Sequence, residues 1–173
     1  MRFLSERNIE MHREYLNTLK LKYSIFEKSY PALVGVNISE ICKIGIKTSE
    51  RDAAIRLYSE IFLHNLYFSS FSERNLCSER IKNQYGSVAS FLYLVKEECK
   101  KADRGFLLVC DGGRDISFNT VTDYGRILWN KNPILALDLC EHAYFYDYGF
   151  DRERYVLEAI SHFDLSKIEK SDN

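Results

Sequence analysis

The stretch Asp138-Leu139-Cys140-Glu141-His142-Ala143-Tyr144-Phe145-Tyr146-Asp147-Tyr148 decides how this chain is read. It follows Pro133-Ile134-Leu135-Ala136-Leu137, an apolar run of strand length that ends on the carboxylate of Asp138. An imidazole, His142, comes four residues later in a segment that reads as a turn or short helix. Working back, Phe106-Leu107-Leu108-Val109-Cys110 and Asp115-Ile116-Ser117-Phe118-Asn119 flank Asp111-Gly112-Gly113-Arg114. Tandem glycine supplies the positive φ of a tight turn, so this region predicts a β-hairpin. Ser87 caps a helix running to about residue 102, and residues 73–86 read as one helical turn plus a loop. Residues 152–163 form a closing helix, and the chain from residue 164 onward reads as a frayed polar tail.

The first part of the chain has a different period. Ile9, His12, Leu16, Leu19, Tyr23, Phe26 and Tyr30 recur at three- and four-residue steps, which predicts an amphipathic helix. Ser5 is its N-cap, with Asn8 as second choice, and Pro31 stops it. After a short helical turn over residues 38–43, Thr48-Ser49-Glu50 opens a second long helix. Its stripe is Ala54, Leu57, Ile61, His64 and Phe68. Two such stripes must be buried against something, so the helices pair as an antiparallel hairpin. The fold class is therefore α+β. A helical hairpin over residues 1–72 precedes an α/β half over residues 73–173 with a three-stranded antiparallel sheet, the two packed as one unit.

Composition excludes several function classes. In 173 residues, 46% hydrophobic and 28% charged with only two Pro, the chain has the make-up of an ordered globular protein. A net charge of −1 offers no basic surplus for a phosphate backbone, so no nucleic acid is expected as partner. No apolar run approaches the roughly 18 residues of a membrane span, and no membrane association is expected. The charged start, Met1-Arg2-Phe3-Leu4-Ser5-Glu6-Arg7, has no secretory apolar segment. Five cysteines (Cys42, Cys77, Cys99, Cys110, Cys140), an odd number with no C-x-x-C pair, fit free thiols in a reducing compartment. The expected location is cytoplasmic.

His12, His64 and His142 all occupy positions that would otherwise be core, and Asp138 ends a buried strand. One histidine on an apolar face is usually a hydrogen-bonded core residue, and one strand-terminal Asp is usually a cap. Several imidazoles and a carboxylate buried together are costly unless each is paired or bound to a metal. The set calls for a cation.

These residues resemble the iron/manganese superoxide dismutases, whose signature reads Asp-x-Trp-Glu-His-Ala-Tyr-Tyr followed shortly by Asp-Tyr. Leu4-Ser5 through Ile9-Glu10-Met11-His12 looks like that family's first-helix segment, and Phe62-Leu63-His64-Asn65-Leu66-Tyr67-Phe68 like its second. Tyr85-Gly86-Ser87 with Phe91, and Pro133-Ile134-Leu135, also fit, so the resemblance runs in order over nearly the whole chain. It implies one iron or manganese ion per chain, held by His12, His64, Asp138 and His142, and superoxide as substrate. It also implies a homodimer in which Glu141 bridges to the other copy. Three neutral imidazoles and one carboxylate leave a divalent ion positive, with room for a solvent ligand.

The surroundings depart from the family pattern. Lys20 falls where the family has its gateway tyrosine, and Glu60 where the iron-type enzymes carry a glutamine. Lys20 and Glu60 are the expected catalytic substitutes if they face each other in the site, as an ion pair or with Glu60 as a ligand; a register one helical position off would make them two unrelated surface charges. The manganese-type glutamine position falls near Val121 and Thr122. Cys140 replaces the signature tryptophan and is read as a small buried hydrophobe, Phe106 and Leu108 replace a tryptophan pair, and Phe145 replaces an interface tyrosine. His162 matches no ligand position, and Tyr15 and Tyr23 are read as helix-packing aromatics. Loss of the tryptophans predicts a larger cavity and motivates a second reading, an iron- or manganese-dependent oxidase or oxygenase acting on an organic substrate. A third is a non-catalytic subunit that keeps the fold.

Overall fold

A computed structural model describes residues 3–73, 78–126 and 132–169. Helix α1 (Glu6–Ser29) starts where Ser5 accepts from the Asn8 backbone N–H, and a 3₁₀ turn at Pro31–Leu33 ends that segment. After the short α2 (Ile38–Ile41), whose Asn37 and Glu40 form a capping box, α3 (Thr48–Ser69) runs back along α1. The direction is set by the pairs they make: His12 meets His64, Tyr15 meets Glu60 and Tyr23 meets Tyr58, partner numbers falling as α1 advances. The hairpin is antiparallel as expected.

The buried face of α1 is Asn8, His12, Leu16 and Leu19; Tyr23 and Phe26 are half-buried. On α3 the buried set is Ala54, Ile55, Ser59, Leu63, His64 and Tyr67, whereas Leu57, Ile61 and Phe68 are only half-covered. The predicted stripe is rotated because α3 packs against both α1 and the sheet, and a helix sandwiched between two layers buries more than one stripe. The loop end of the hairpin has its own small core of Leu33, Ile38, Ile41, Ala54 and Ile55.

The second half begins with α4 (Glu79–Tyr85), capped by Ser78, and α5 (Val88–Cys99), capped by Ser87. Strands β1 (Phe106–Asp111), β2 (Ile116–Val121) and β3 (Asn132–Asp138) form an antiparallel sheet of order β2-β1-β3. β1 is central and buried along its whole length, which is why it reads as an unbroken apolar run. Its first residue, Phe106, lies opposite Asp138, the last of β3, so the strand register carries the carboxylate to one end of the sheet. Near the free edge of β3 the chain after α3 approaches, and Ala136 N–H donates to Ser70 Oγ at 2.8 Å. Gly105 precedes β1 with φ +94°, and a Cβ there would run into the Val121 carbonyl; its N–H meets Cys140 Sγ at 3.2 Å.

Helices α6 (Glu141–Tyr148), α7 (Arg152–Ser161) and α8 (Ser166–Glu169) complete the chain. The predicted frayed tail is overturned over residues 164–169: Leu165 and Ile168 are buried, and Glu169 accepts from Ser78 Oγ and the Arg80 backbone N–H. Two apolar side chains at three-residue spacing suffice to dock a helical turn when a facing surface exists, and α4 supplies it. Residues 170–173 of that tail, Cys77 and part of the predicted turn over residues 73–86 lie outside the described residues. No helix among the described residues is long and apolar enough to cross a membrane.

Candidate metal centre

Four elements converge on one point. The long helices bring His12 and His64, the end of β3 brings Asp138, and the first turn of α6 brings His142. Asp138 and His142 share this place because Cys140, whose N–H donates to Asp138 Oδ1 at 2.8 Å, turns the chain from strand into helix. Ser5 N–H donates to Asp147 at 2.8 Å and Tyr148 Oη to the Phe3 carbonyl, which fasten the start of α1 to α6.

Asp138 Oδ2 lies 2.9 Å from His142 Nε2, 3.3 Å from His12 Nε2 and 3.6 Å from His64 Nε2. One ligand atom from each residue lies within 4.8 Å of the others. His64 Nε2 and His142 Nε2 are themselves 3.3 Å apart. A transition-metal ion with bonds of about 2.0–2.2 Å spaces its donors roughly 3–4 Å apart, the range seen here. Asp138 Oδ2 is fully buried with no hydrogen-bond partner among the described residues, an arrangement that a cation satisfies.

Protonation favours the same end. His64 Nδ1 meets the Glu60 carbonyl at 2.7 Å; a carbonyl only accepts, so Nδ1 carries the proton and Nε2 turns a bare lone pair to the cluster. Burial lowers the His64 imidazole to about 4 against the pull of Asp138, so it stays neutral at ordinary pH. Burial works to raise the Asp138 carboxyl, but the His12 and His142 imidazoles close beside it outweigh that and hold the group well below the usual range.

Aromatic rings wall the cluster. Tyr67 and Phe68 each lie 4.9 Å from the His12 ring, and Phe106 meets His64 edge-on at 5.1 Å. His142 is 32% exposed and marks the mouth, where Tyr15 lies over it at 4.6 Å. Tyr15 Oη donates to Glu60 Oε1 at 2.6 Å. Cys140 Sγ sits between the Gly105 N–H and the Tyr124 hydroxyl, and burial pushes its thiol up to about 12, in keeping with an inert, small side chain.

The expected pairing of Lys20 with Glu60 is not formed. Lys20 is exposed and borders a surface groove with Tyr23, Glu27, Tyr58, Ile61, Phe62 and Asn65. Tyr15 and Lys20 are five residues apart, which turns them by about 140° around the helix, onto opposite flanks of the buried stripe. Glu60 stands on the flank of Tyr15, so the tyrosine, not the lysine, meets it. The sequence reading missed this role because Tyr15 looks like any packing aromatic; the signal is its spacing three residues after His12, on the same side of the helix. Tyr124 was missed too. It follows β2 close to the predicted glutamine position at Val121 and Thr122, and its ring faces Phe106 at 6.1 Å. It stands beside Phe106 and Cys140, two of the positions where the family pattern has tryptophan. His162 caps the end of α7, with Nδ1 near the Glu158 carbonyl, away from the cluster as expected.

Residues 73–171 match the family model for iron/manganese superoxide dismutases, C-terminal domain. The chain belongs to the iron/manganese superoxide dismutase family. It is 33% identical over 102 residues to "Superoxide dismutase [Mn] 1" of Halobacterium salinarum, covering 54% of this chain and 51% of that protein. It is 32% identical over 102 residues to "Superoxide dismutase [Mn] 2" of Haloferax volcanii, with the same coverage of 54% and 51%. Similarity to "Superoxide dismutase [Fe] 2, chloroplastic" of Oryza sativa subsp. japonica is 22% over 177 residues, covering 92% of this chain and 67% of that protein. The chain thus spans about half the length of the first two dismutases. Matches to both manganese- and iron-named dismutases agree with the chemistry of a nitrogen and oxygen donor set.

Proposed function

We propose that this dismutase-family chain disproportionates superoxide to dioxygen and hydrogen peroxide, using one iron or manganese ion held by His12, His64, Asp138 and His142. The observation that carries this reading is the buried, unpartnered Asp138 oxygen facing three imidazole nitrogens. When bound, the metal supplies two neighbouring oxidation states, so that one superoxide is oxidised and the next is reduced with uptake of two protons. Asp138, kept ionised, offsets part of the metal's charge and leaves the centre attractive to a small anion. His64 is locked by its Nδ1 hydrogen bond with Nε2 toward the cluster. Tyr15 and Glu60 form a hydrogen-bonded pair at the mouth, continuous through the Glu60 backbone with His64. Burial first, then the Glu60 hydrogen bond, raise the Tyr15 hydroxyl well above its usual value, so it holds its proton at the mouth throughout neutral pH.

Metal content and superoxide removal measured on one purified sample test the reading, with His64→Ala as control. About one iron or manganese per chain with rapid superoxide loss, both absent in the control, is the expected result. A metal-free wild type after reconstitution, or loaded protein that leaves superoxide untouched, would refute it. Tyr15→Phe keeps the ring and removes the hydroxyl, and turnover is expected to fall roughly 10- to 100-fold while metal content is retained. Steady-state superoxide decay reads this, and an unchanged rate would remove Tyr15 from the mechanism.

Metal uptake should be pH-dependent. Burial works to lower the His142 imidazole, but the Asp138 carboxylate 2.9 Å away raises it above its ordinary value on balance. A proton on His142 opposes the metal, so affinity should rise with pH until that raised imidazole has lost its proton, and fall about tenfold per unit on the acid side of it. Asp138 does not compete there, and His64 does so only near its value of about 4. Zinc affinities measured at intervals between neutral and mildly acid pH check this, and a flat profile would contradict it.

Homodimer formation through the α6 face belongs to the same proposal. Glu141 is exposed at the start of that helix, and Phe145 (45% exposed) meets Phe150 (92% exposed) edge-on at 5.2 Å beside it. Exposed rings grouped around an acid are unusual on a monomer surface and suit a second copy. A cytoplasmic location is proposed from the free Cys42, Cys99, Cys110 and Cys140.

A further inference from the structure

His12 is 1% exposed, and neither of its ring nitrogens has a hydrogen-bond partner among the described residues. Its Nε2 faces Asp138 Oδ2 at 3.3 Å, so Nδ1 is turned away from the cluster. This contrasts with His64, whose Nδ1 is anchored on a backbone carbonyl. One helical turn earlier stands Asn8, also 1% exposed, with both its Oδ1 and its Nδ2 unpartnered. Residues four apart lie one above the other on a helix, so the idle amide and the idle imidazole nitrogen share a buried face. Burying an amide with no partner is unfavourable, and a leucine would occupy a similar volume without that cost.

We infer that Asn8 is a positioning residue for His12: its Oδ1 takes up the proton of His12 Nδ1 through one buried water, and so holds Nε2 unprotonated toward the metal. Asn8 combines an acceptor for that proton with a donor for a bridging water or a nearby carbonyl. A histidine ligand whose outer nitrogen is anchored keeps its tautomer and ring orientation, which sets how tightly it holds the ion. The inference rests on the metal-centre reading proposed above, and it gives each of the two helical histidines its own tautomer anchor, a backbone carbonyl for His64 and a side-chain amide for His12.

A crystal structure of the wild-type protein at a resolution that orders water, loaded or metal-free, tests the link itself. A single water joining Asn8 Oδ1 to His12 Nδ1 is expected; an amide bonded elsewhere, with nothing joining it to that nitrogen, overturns the inference. Zinc, which is diamagnetic, then tests the consequence. Asn8→Leu is expected to weaken zinc binding about 10- to 100-fold, whereas Asn8→Asp, which keeps shape and acceptor, stays close to wild type. In ¹⁵N-labelled zinc-loaded protein, the His12 Nδ1 proton should resonate at low field and exchange slowly in the wild type and in Asn8→Asp, and lose both properties in Asn8→Leu. A folded Asn8→Leu with wild-type zinc affinity and an unchanged His12 proton would show that Asn8 only fills space. Failure of the wild type to bind zinc would instead count against the metal centre, and the crystallographic link would still decide the role of Asn8.

Discussion

Asp138→Asn is expected to abolish stable metal loading, and superoxide removal with it, while leaving the fold intact. The substitution preserves shape, and the Oδ1 position can still accept from the Cys140 N–H, so the turn from β3 into α6 has what it needs. What disappears is the only negative charge among the four clustered donors. Three imidazole nitrogens within 3.6 Å of that oxygen would then face a neutral amide, and a cation placed among them would lack its buried counter-charge. Removing one partner of a buried charge pair costs about 3–5 kcal/mol, which corresponds to roughly 10²–10⁴ in affinity. Competition against a chelator of known strength measures this directly, and retention of metal at near wild-type affinity would mean that Asp138 is not a ligand. The Tyr155 hydroxyl, which donates to the Asp138 carbonyl at 2.8 Å, should keep the strand end in place in the variant, so circular dichroism should be unchanged.

Arg80→Ala should produce the largest loss of stability. The guanidinium grips Asp111 with two bonds, 2.7 Å to Oδ1 and 3.3 Å to Oδ2, and also donates to the carbonyls of Ile168 and Gly113. It ties α4, the β1–β2 turn and α8 together, and the Asp111 side chain it serves is only 2% exposed. Deleting it removes the cation that faces a buried carboxylate, a loss of about 3–5 kcal/mol. For a chain of this size that lowers the melting temperature by about 6–20 °C. Thermal denaturation reads the effect, and a fall of no more than a degree or two would disprove the account. Metal affinity should not change, since Asp111 and Phe106 occupy opposite ends of β1, roughly 17 Å apart along the strand. Arg80→Lys, with charge but no fork, should fall between the two.

The two effects differ in how far they were legible beforehand. The four-residue cluster was readable because its members combine chemistry with pattern: a histidine in each helical stripe, an acid closing a buried strand, and another histidine one turn on. The Arg80–Asp111 knot was not, because neither residue departs from ordinary surface patterning. Its partners lie 31 and more positions apart, and only the packing of α4, the β1–β2 turn and α8 against one another brings them together. The same reason explains the misread tail, whose two apolar residues among many polar ones carry too little periodicity to announce a docked helix. Asn8 was read as an alternative cap, since an asparagine near a helix start usually is one. That Ser5 holds the cap and leaves Asn8 inside depends on the chain's entry angle, which the fastening of Ser5 and Phe3 to α6 sets.

The amino-acid order alone determined the two long helices, the hairpin-then-sheet succession and the four candidate donors, because periodicity, caps and turn glycines act over a few residues and the donor types announce their own chemistry. The tertiary structure alone decided which neighbours those donors have. Tyr15 rather than Lys20 meets Glu60, Tyr124 approaches Cys140, and Asn8 is enclosed with His12. Those choices depend on helix rotation and on side chains approaching from distant segments, where a turn of about 100° per residue moves a group from one flank to the other and no local pattern records the outcome.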